Sequence, residues 1–209
     1  MKLRLMFFAA LIAAVLSVSL VASSAIGASV VYNAIPSSLP PNVASLGFEA
    51  QSTSEFGDYV HLSTTNPNRV LNAVTVTMSD WALHSDYLTD ARYSPTSATW
   101  SHPITLNVYS SHLGFNGAPD TLLATKTQDV TIPWRPVADP TCATPTAWRA
   151  GNGQCYNGVA FNATFDLSSL NVTLPGDVIV GVAYNTADYG NAPIHMPGPY
   201  NSLNVGVPT

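Results

Sequence analysis

The pattern of hydrophobic and polar positions along the chain is typical of β-strands. Between Val74 and Ser79, valine, valine and methionine alternate with threonine, threonine and serine. Successive side chains of a strand point to opposite faces of its sheet, so the three apolar side chains are expected on a core and the three hydroxyls on the other face. The alternation recurs in residues 104–109 and 159–167, whereas residues 177–185 are apolar at both parities. That last segment is predicted to be a central strand covered on both faces.

About eight strands are predicted in all, and no amphipathic helix of convincing length accompanies them. They are residues 47–51, 59–62, 70–79, 104–109, 121–132 (one bent strand or two short ones), 159–167, 177–185 and 202–207. Short strands joined by turns rich in proline and glycine favour an all-β fold, a two-sheet antiparallel β-sandwich of jelly-roll type. An immunoglobulin-like sandwich is the alternative, but the chain lacks a tryptophan between two widely spaced cysteines, which marks that fold.

The first 28 residues have the order of a secretory signal peptide. Lys2 and Arg4 precede an almost wholly apolar run, residues 5–20, and small residues follow it. Cleavage after Ala25 or Ala28 would satisfy the small-residue rule. A retained membrane anchor is the alternative, because the apolar run approaches spanning length. We expect a secreted protein whose residues 29–209 form one domain, beginning with a proline-rich arm at residues 29–42.

Charge and cysteine content narrow the class of protein further. The leader contains two of the seven basic residues and none of the twelve acidic ones, so five basic side chains face twelve acidic ones in the exported part. Nucleic acid and anionic membranes attract clustered lysine and arginine, and neither is expected as a partner. The two cysteines, Cys142 and Cys155, are expected to form a disulfide in an oxidising compartment, a bond that stabilises by about 3 kcal/mol. Free thiols are the alternative, and a metal site would lack a nearby histidine.

Two long irregular segments, residues 80–103 and 133–157, concentrate the aromatic residues. Long loops in a compact domain are often functional. We expect a ligand-binding surface made from the side chains of Tyr87, Tyr93, Trp100, Trp148 and Arg149. Aromatic rings held in this way stack on sugar rings or on the apolar patch of a protein partner. The alternative for Trp100 and Trp148 is that their rings close the open end of the core.

Two further tryptophans adjoin predicted strands directly. Trp81 follows the first alternating strand, and Trp134 follows the segment 121–132. For these two we expect the core-closing role, because a ring at the end of a strand lies over the end of the sandwich.

A metal site and a catalytic site were both sought in the residue pattern. Carboxylates of Asp80, Asp86 and Asp90, with loop carbonyls, are suited to calcium, which prefers oxygen ligands. The alternative is that these aspartates cap turns. The five histidines show no spacing suited to zinc. No nucleophile elbow, paired-histidine metalloprotease motif or phosphate loop is present, so we expect no enzyme, and no cofactor apart from calcium.

Several stretches resemble a group of uncharacterised secreted bacterial proteins, known as hypothetical extracellular proteins. The stretches are EFGD at 55–58, the run ending in MSDW at 78–81, PITLNVY at 103–109, LLATKTQDVTIPWRP at 122–136 and residues 156–167. The resemblance covers most of the exported chain, and it implies no established activity or site residue. It also implies a further stretch after the strand SLNVGV at 202–207.

Together these features predict a secreted or cell-surface binding or adhesion module that acts through its aromatic loops on a polysaccharide or a surface protein. A carbohydrate-binding or carbohydrate-acting domain held by structural calcium is the first alternative. A structural component of the cell envelope is the second.

Overall fold

The computed structural model of the protein describes residues 30–63, 68–111, 118–189 and 195–207. In these residues the chain is all-β, with ten strands, one four-residue α-helix (α1, Phe48–Gln51) and three short 3₁₀ turns. The strands are β1 (Ser45–Gly47), β2 (Glu55–His61), β3 (Ala73–Asp80), β4 (Thr99–Ser111), β5 (Pro119–Pro133), β6 (Trp148–Arg149), β7 (Cys155–Tyr156), β8 (Val159–Asp166), β9 (Asp177–Ala183) and β10 (Leu203–Gly206). The predicted signal peptide, residues 1–28, lies outside the described residues.

Two four-stranded antiparallel sheets form a sandwich, which confirms the predicted fold class. One sheet has the order β1-β10-β3-β8 and the other β2-β9-β4-β5, while β6 and β7 form a small separate hairpin. With the small hairpin set aside, the first strand pairs with the last, β2 with β9, β3 with β8, and β4 with β5. This nesting of antiparallel pairs across two sheets is the topology of a jelly roll.

The register of the strands places the alternating apolar residues between the sheets. Met78 on β3 lies opposite Phe161 on β8 and Val205 on β10. From the other sheet, Ile104 and Leu106 of β4 are fully buried. Strand β9 has buried residues at both parities, as predicted, because its outward-facing Ile179 lies between neighbouring tyrosines on β2 and β4.

Two strand predictions need correction. Residues 47–51 were expected as a strand, but β1 ends at Gly47 and α1 follows it. Ser52 takes a left-handed conformation and its N–H bonds to Glu49 O, which ends the helix after one turn. The turn buries Phe48 against the rings of Phe56 and Tyr184, with centroid distances of 4.7 and 4.1 Å. Apolar contact therefore overrides the local strand pattern.

The second correction concerns the segment 80–103, which was expected to be irregular throughout. Strand β4 begins at Thr99, so the connection after β3 is shorter than predicted. In the described parts of the chain we find no helix long and apolar enough to cross a membrane.

Candidate functional site

Trp100 lies on a strand and inside the sandwich, so its predicted place in an exposed loop is wrong. Its side chain is 4% exposed, and its indole N–H donates to Asp80 Oδ2 at 3.0 Å. The inward alternation of β4 runs from Trp100 through His102 and Ile104. A signal for this was present, because the exposed or half-exposed Thr99, Ser101 and Pro103 occupy the other parity. A proline within the run is unusual for a strand, so the sequence was interpreted as a loop.

Trp134 closes the end of the core, as expected. Rings from the first aromatic segment, residues 80–103, pack around it. It is 8% exposed. The rings of His84 and Tyr87 stack on it at 4.9 and 5.7 Å, and Tyr93 meets it edge-on at 5.7 Å. Trp100 lies 5.8 Å away on the inner side. Tyr87 and Tyr93 are thus half-buried parts of an aromatic core, and the structure does not place them on a flat exposed face.

Asp80 is the polar centre of that aromatic core. Its side chain is fully buried, and one oxygen accepts the Trp100 indole N–H while the other accepts the Ala82 backbone N–H at 3.1 Å. Burial raises the pKa of Asp80 to about 7, although the two hydrogen bonds and the nearby Arg135 act in the opposite direction. A carboxyl of this kind changes charge close to neutral pH.

The three aspartates suggested for calcium do not come together. Asp80 points into the core, Asp86 is exposed on a 3₁₀ turn, and Asp90 is held by Arg92, whose Nε and Nη2 donate to its carboxylate at 2.9 and 2.6 Å. Across residues 30–63, 68–111, 118–189 and 195–207, no three His, Cys, Asp or Glu side chains are arranged as metal ligands. Asp80 is the last residue of β3 and its side chain points inward, so it lies apart from Asp86 and Asp90.

Trp81 is the exposed tryptophan, and its predicted core-closing role is wrong. It is 42% exposed, because Asp80 before it points inward and strand parity turns Trp81 outward. Its indole N–H donates to Ser79 Oγ at 3.0 Å, and that hydroxyl donates to Asn42 Oδ1 at 2.6 Å. The ring is therefore oriented by hydrogen bonds while one side of it faces solvent.

Trp148 and Tyr156 extend this exposed aromatic surface. They are cross-strand neighbours on the β6–β7 hairpin, both partly exposed, with ring centroids 5.9 Å apart. The Trp148 indole N–H donates to Gly158 O at 2.7 Å. A side chain at Gly158 would lie 2.4 Å from the Trp81 indole nitrogen, so both indoles meet at this glycine. We call Trp81, Trp148 and Tyr156 the aromatic patch.

The hairpin that carries two of these rings is braced by covalent and charged contacts. The predicted disulfide Cys142–Cys155 is present, with a Cα–Cα distance of 5.9 Å. Arg149, predicted to bind ligand, directs its guanidinium at loop atoms: Asp139 Oδ2 at 3.0 Å and Gly153 O at 2.6 Å. Its role here is to hold the loop. Arg135 connects the two loops, since its Nε donates to Trp81 O at 3.0 Å and its Nη1 to Thr146 O.

A groove of mixed polar and apolar lining adjoins the patch. It has a volume of about 360 Å³, and Trp81, Leu46, Gly47 and Ala50 form the apolar part of its lining. Hydroxyl and amide side chains form the polar part, from Ser45, Gln51, Asn201, Ser202 and Asn204. None of these side chains is charged at neutral pH, so the groove offers hydrogen bonds beside an apolar ring.

Fold and surface together define a jelly-roll β-sandwich with two buried and two surface tryptophans, the latter beside a disulfide-braced hairpin at one end. The chain matches no protein-family model, no curated protein and no solved structure.

Proposed function

We propose that this protein is a secreted binding module that holds a polysaccharide on the aromatic patch and the adjoining groove. The observation that carries the proposal is the exposure of Trp81, 42% of whose surface faces solvent while Trp100 and Trp134 are buried. A large apolar ring left at the surface beside other rings is typical of a binding site.

The chemistry of the groove favours a neutral, hydroxyl-rich ligand. The apolar faces of a sugar ring stack on an indole, and its hydroxyls bond amide and hydroxyl groups of the kind that line the groove. The nearest charged side chain of the hairpin, Arg149, has its donors engaged by Asp139, Thr141 and Gly153. Recognition here therefore depends on stacking and neutral hydrogen bonds.

Rigidity supports binding over a passive surface role. The disulfide, the Arg149 contacts and the Arg135 link restrict the loops before any ligand arrives. A preorganised site loses less conformational entropy on binding. The leader-like N-terminus and the disulfide are compatible with an exported protein acting on an extracellular polymer.

Native affinity electrophoresis tests the proposal. The protein is run through gels containing soluble xylan, glucomannan, mixed-linkage β-glucan or glycol chitin, alongside a non-binding standard. At least one polysaccharide is expected to retard it, and Trp81→Ala and Trp148→Ala are each expected to weaken the affinity about tenfold, as loss of an aromatic anchor does.

The matched control is Tyr59→Ala, which removes an aromatic ring that is 38% exposed on the opposite sheet. Its retardation should equal that of the wild type, and thermal melts should show that all three variants are folded. Absence of retardation in every gel, or equal loss in the Tyr59 variant, would remove the support for this function.

A further inference from the structure

A second, mostly apolar cavity lies between the two sheets and shares Leu46 with the groove. Its volume is about 1160 Å³, and residues of the edge strands β1 and β2 are among those that line it. Inward-facing valines of both sheets line it, and Val76, Val180 and Val205 remain partly exposed although their register directs them inward. A filled sandwich would bury such positions completely, so the inter-sheet space at this edge is open.

The proline-rich arm lies against the cavity. Near its start Val31 O accepts the Ser63 N–H beyond β2, and at its end Pro41 O accepts the Ala160 N–H of β8, in the other sheet. The arm is thus held on both sheets and crosses from one to the other. Val30, Val31 and Ile35 on this segment contribute to the cavity lining, so the arm forms its outer wall.

The charged groups at the cavity are few and of opposite sign. Arg69 and Asp58 both line it. The Arg69 Nε is buried and has no hydrogen-bond partner. One acidic group that interacts electrostatically with Arg69, Asp177, already accepts hydrogen bonds from the Tyr59 hydroxyl and from His61 Nδ1. Arg69 is the cationic side chain in the cavity lining. Since its Nε is enclosed by protein, a ligand carboxylate would bind the terminal nitrogens of the guanidinium.

We propose that this cavity binds a molecule with a single aliphatic chain and a carboxylate head, the chemical class of the fatty acids. The chain lies between the valine rows, where an apolar cavity favours an apolar guest over water. The carboxylate accepts from Arg69. The volume, about 1160 Å³, is slightly above the range of about 300–1,000 Å³ for pockets that enclose small molecules. This site does not depend on polysaccharide binding at the aromatic patch.

Displacement of a fluorescent polyene fatty acid, cis-parinaric acid, tests the proposal on the intact exported chain. Dodecanoic acid, dodecanol and dodecylamine are compared as competitors. The acid should compete best, by about tenfold or more over the alcohol, as a charged hydrogen bond to Arg69 requires. Preference for the amine would show that Asp58 and not Arg69 selects the head group and would overturn the assignment, as would absence of parinaric acid binding.

Variants test the part of the cavity that binds the aliphatic chain separately from Arg69, which binds the carboxylate. Val180→Trp and Val76→Trp should fill the cavity and abolish binding, and Thr131→Trp, on the exposed face of β5, should bind as the wild type does. Arg69→Gln should retain parinaric acid binding but lose the preference for acid over alcohol. Unchanged binding in folded cavity-filling variants, or an unchanged acid preference in Arg69→Gln, would overturn the proposal.

Discussion

The buried carboxyl of Asp80 should make the stability of the protein depend on pH in a direction that is unusual for an aspartate. Burial raises the pKa of Asp80 from an ordinary 3.8 to about 7 in the folded protein. Between these values the folded state holds a proton that the unfolded state has lost, so stability falls as pH rises. The contribution is complete below pH 4 and is lost by pH 7.

The size of this effect follows from the linkage relation. A pKa difference of one corresponds to about 1.4 kcal/mol, so the Asp80 contribution to the free energy of unfolding should fall by about 3 kcal/mol between pH 4.5 and 7.5. Asp80→Asn cannot titrate. The asparagine amide has a donor NH₂ group where the aspartate has an acceptor oxygen, so the variant loses one accepted hydrogen bond and is less stable by the same amount at every pH. The pH dependence that Asp80 contributes to the free energy of unfolding is absent from it.

Urea unfolding followed by tryptophan fluorescence at pH 4.5, 5.5, 6.5 and 7.5 measures the difference between the wild type and Asp80→Asn. Other groups titrate in the same range, notably buried His102, whose pKa is lowered by burial. His102 is common to both proteins, so the difference isolates Asp80. If the free energy of unfolding of the wild type differed from that of Asp80→Asn by the same amount at all four pH values, the assigned protonation of Asp80 would be refuted.

Three further outcomes follow from described contacts. Serine at both positions of the disulfide should lower the free energy of unfolding by about 3 kcal/mol, measured in urea with and without reductant. Gly158→Ala should shift the Trp81 ring and weaken polysaccharide retardation, and it should lower the free energy of unfolding by about 1–3 kcal/mol. A Cβ at Gly151 would meet no atom within 4 Å, so Gly151→Ala should change neither the retardation nor the stability. Trp100→Phe leaves Asp80 without its indole donor, and a cost of about 1–3 kcal/mol is expected in thermal and urea unfolding. Trp148→Phe, which loses the bond from a half-buried indole to Gly158 O, should cost less. An intact melting temperature in Trp100→Phe would contradict the polar role assigned to this pair.

Period-two alternation was sufficient to predict the sandwich, because it reports which side chains face the core. β3, β8 and β9 all lie within or close to the predicted segments. The helix α1 was not predicted, because its turn is stabilised by contacts of Phe48 with Phe56, on the next strand, and with Tyr184, far away in sequence. Contacts of that kind leave no local pattern.

Exposure of individual tryptophans was harder to predict than the strands. Trp81 is exposed although a core-closing role was expected for it, and Trp100 takes the buried role that was the alternative to ligand binding. One residue of parity decides whether a ring faces core or solvent. For Trp81 the parity of β3 was readable from the alternation before it. For Trp100 the start of β4 was hidden by Pro103, and the bond to Asp80 across 20 residues had no signature in spacing.

The position of β10 has a consequence for how the protein acquires its structure. β10 is the last strand of the described chain to leave the ribosome, yet it lies inside its sheet, between β1 and β3. β1, made about 160 residues earlier, has β10 as its neighbour in that sheet, with Ser45 opposite Gly206. The sheet therefore cannot be completed as the chain emerges. Until β10 arrives, β1 and the edge of β3 that faces β10 stay unpaired, and the chain in that interval should be a substrate for chaperones.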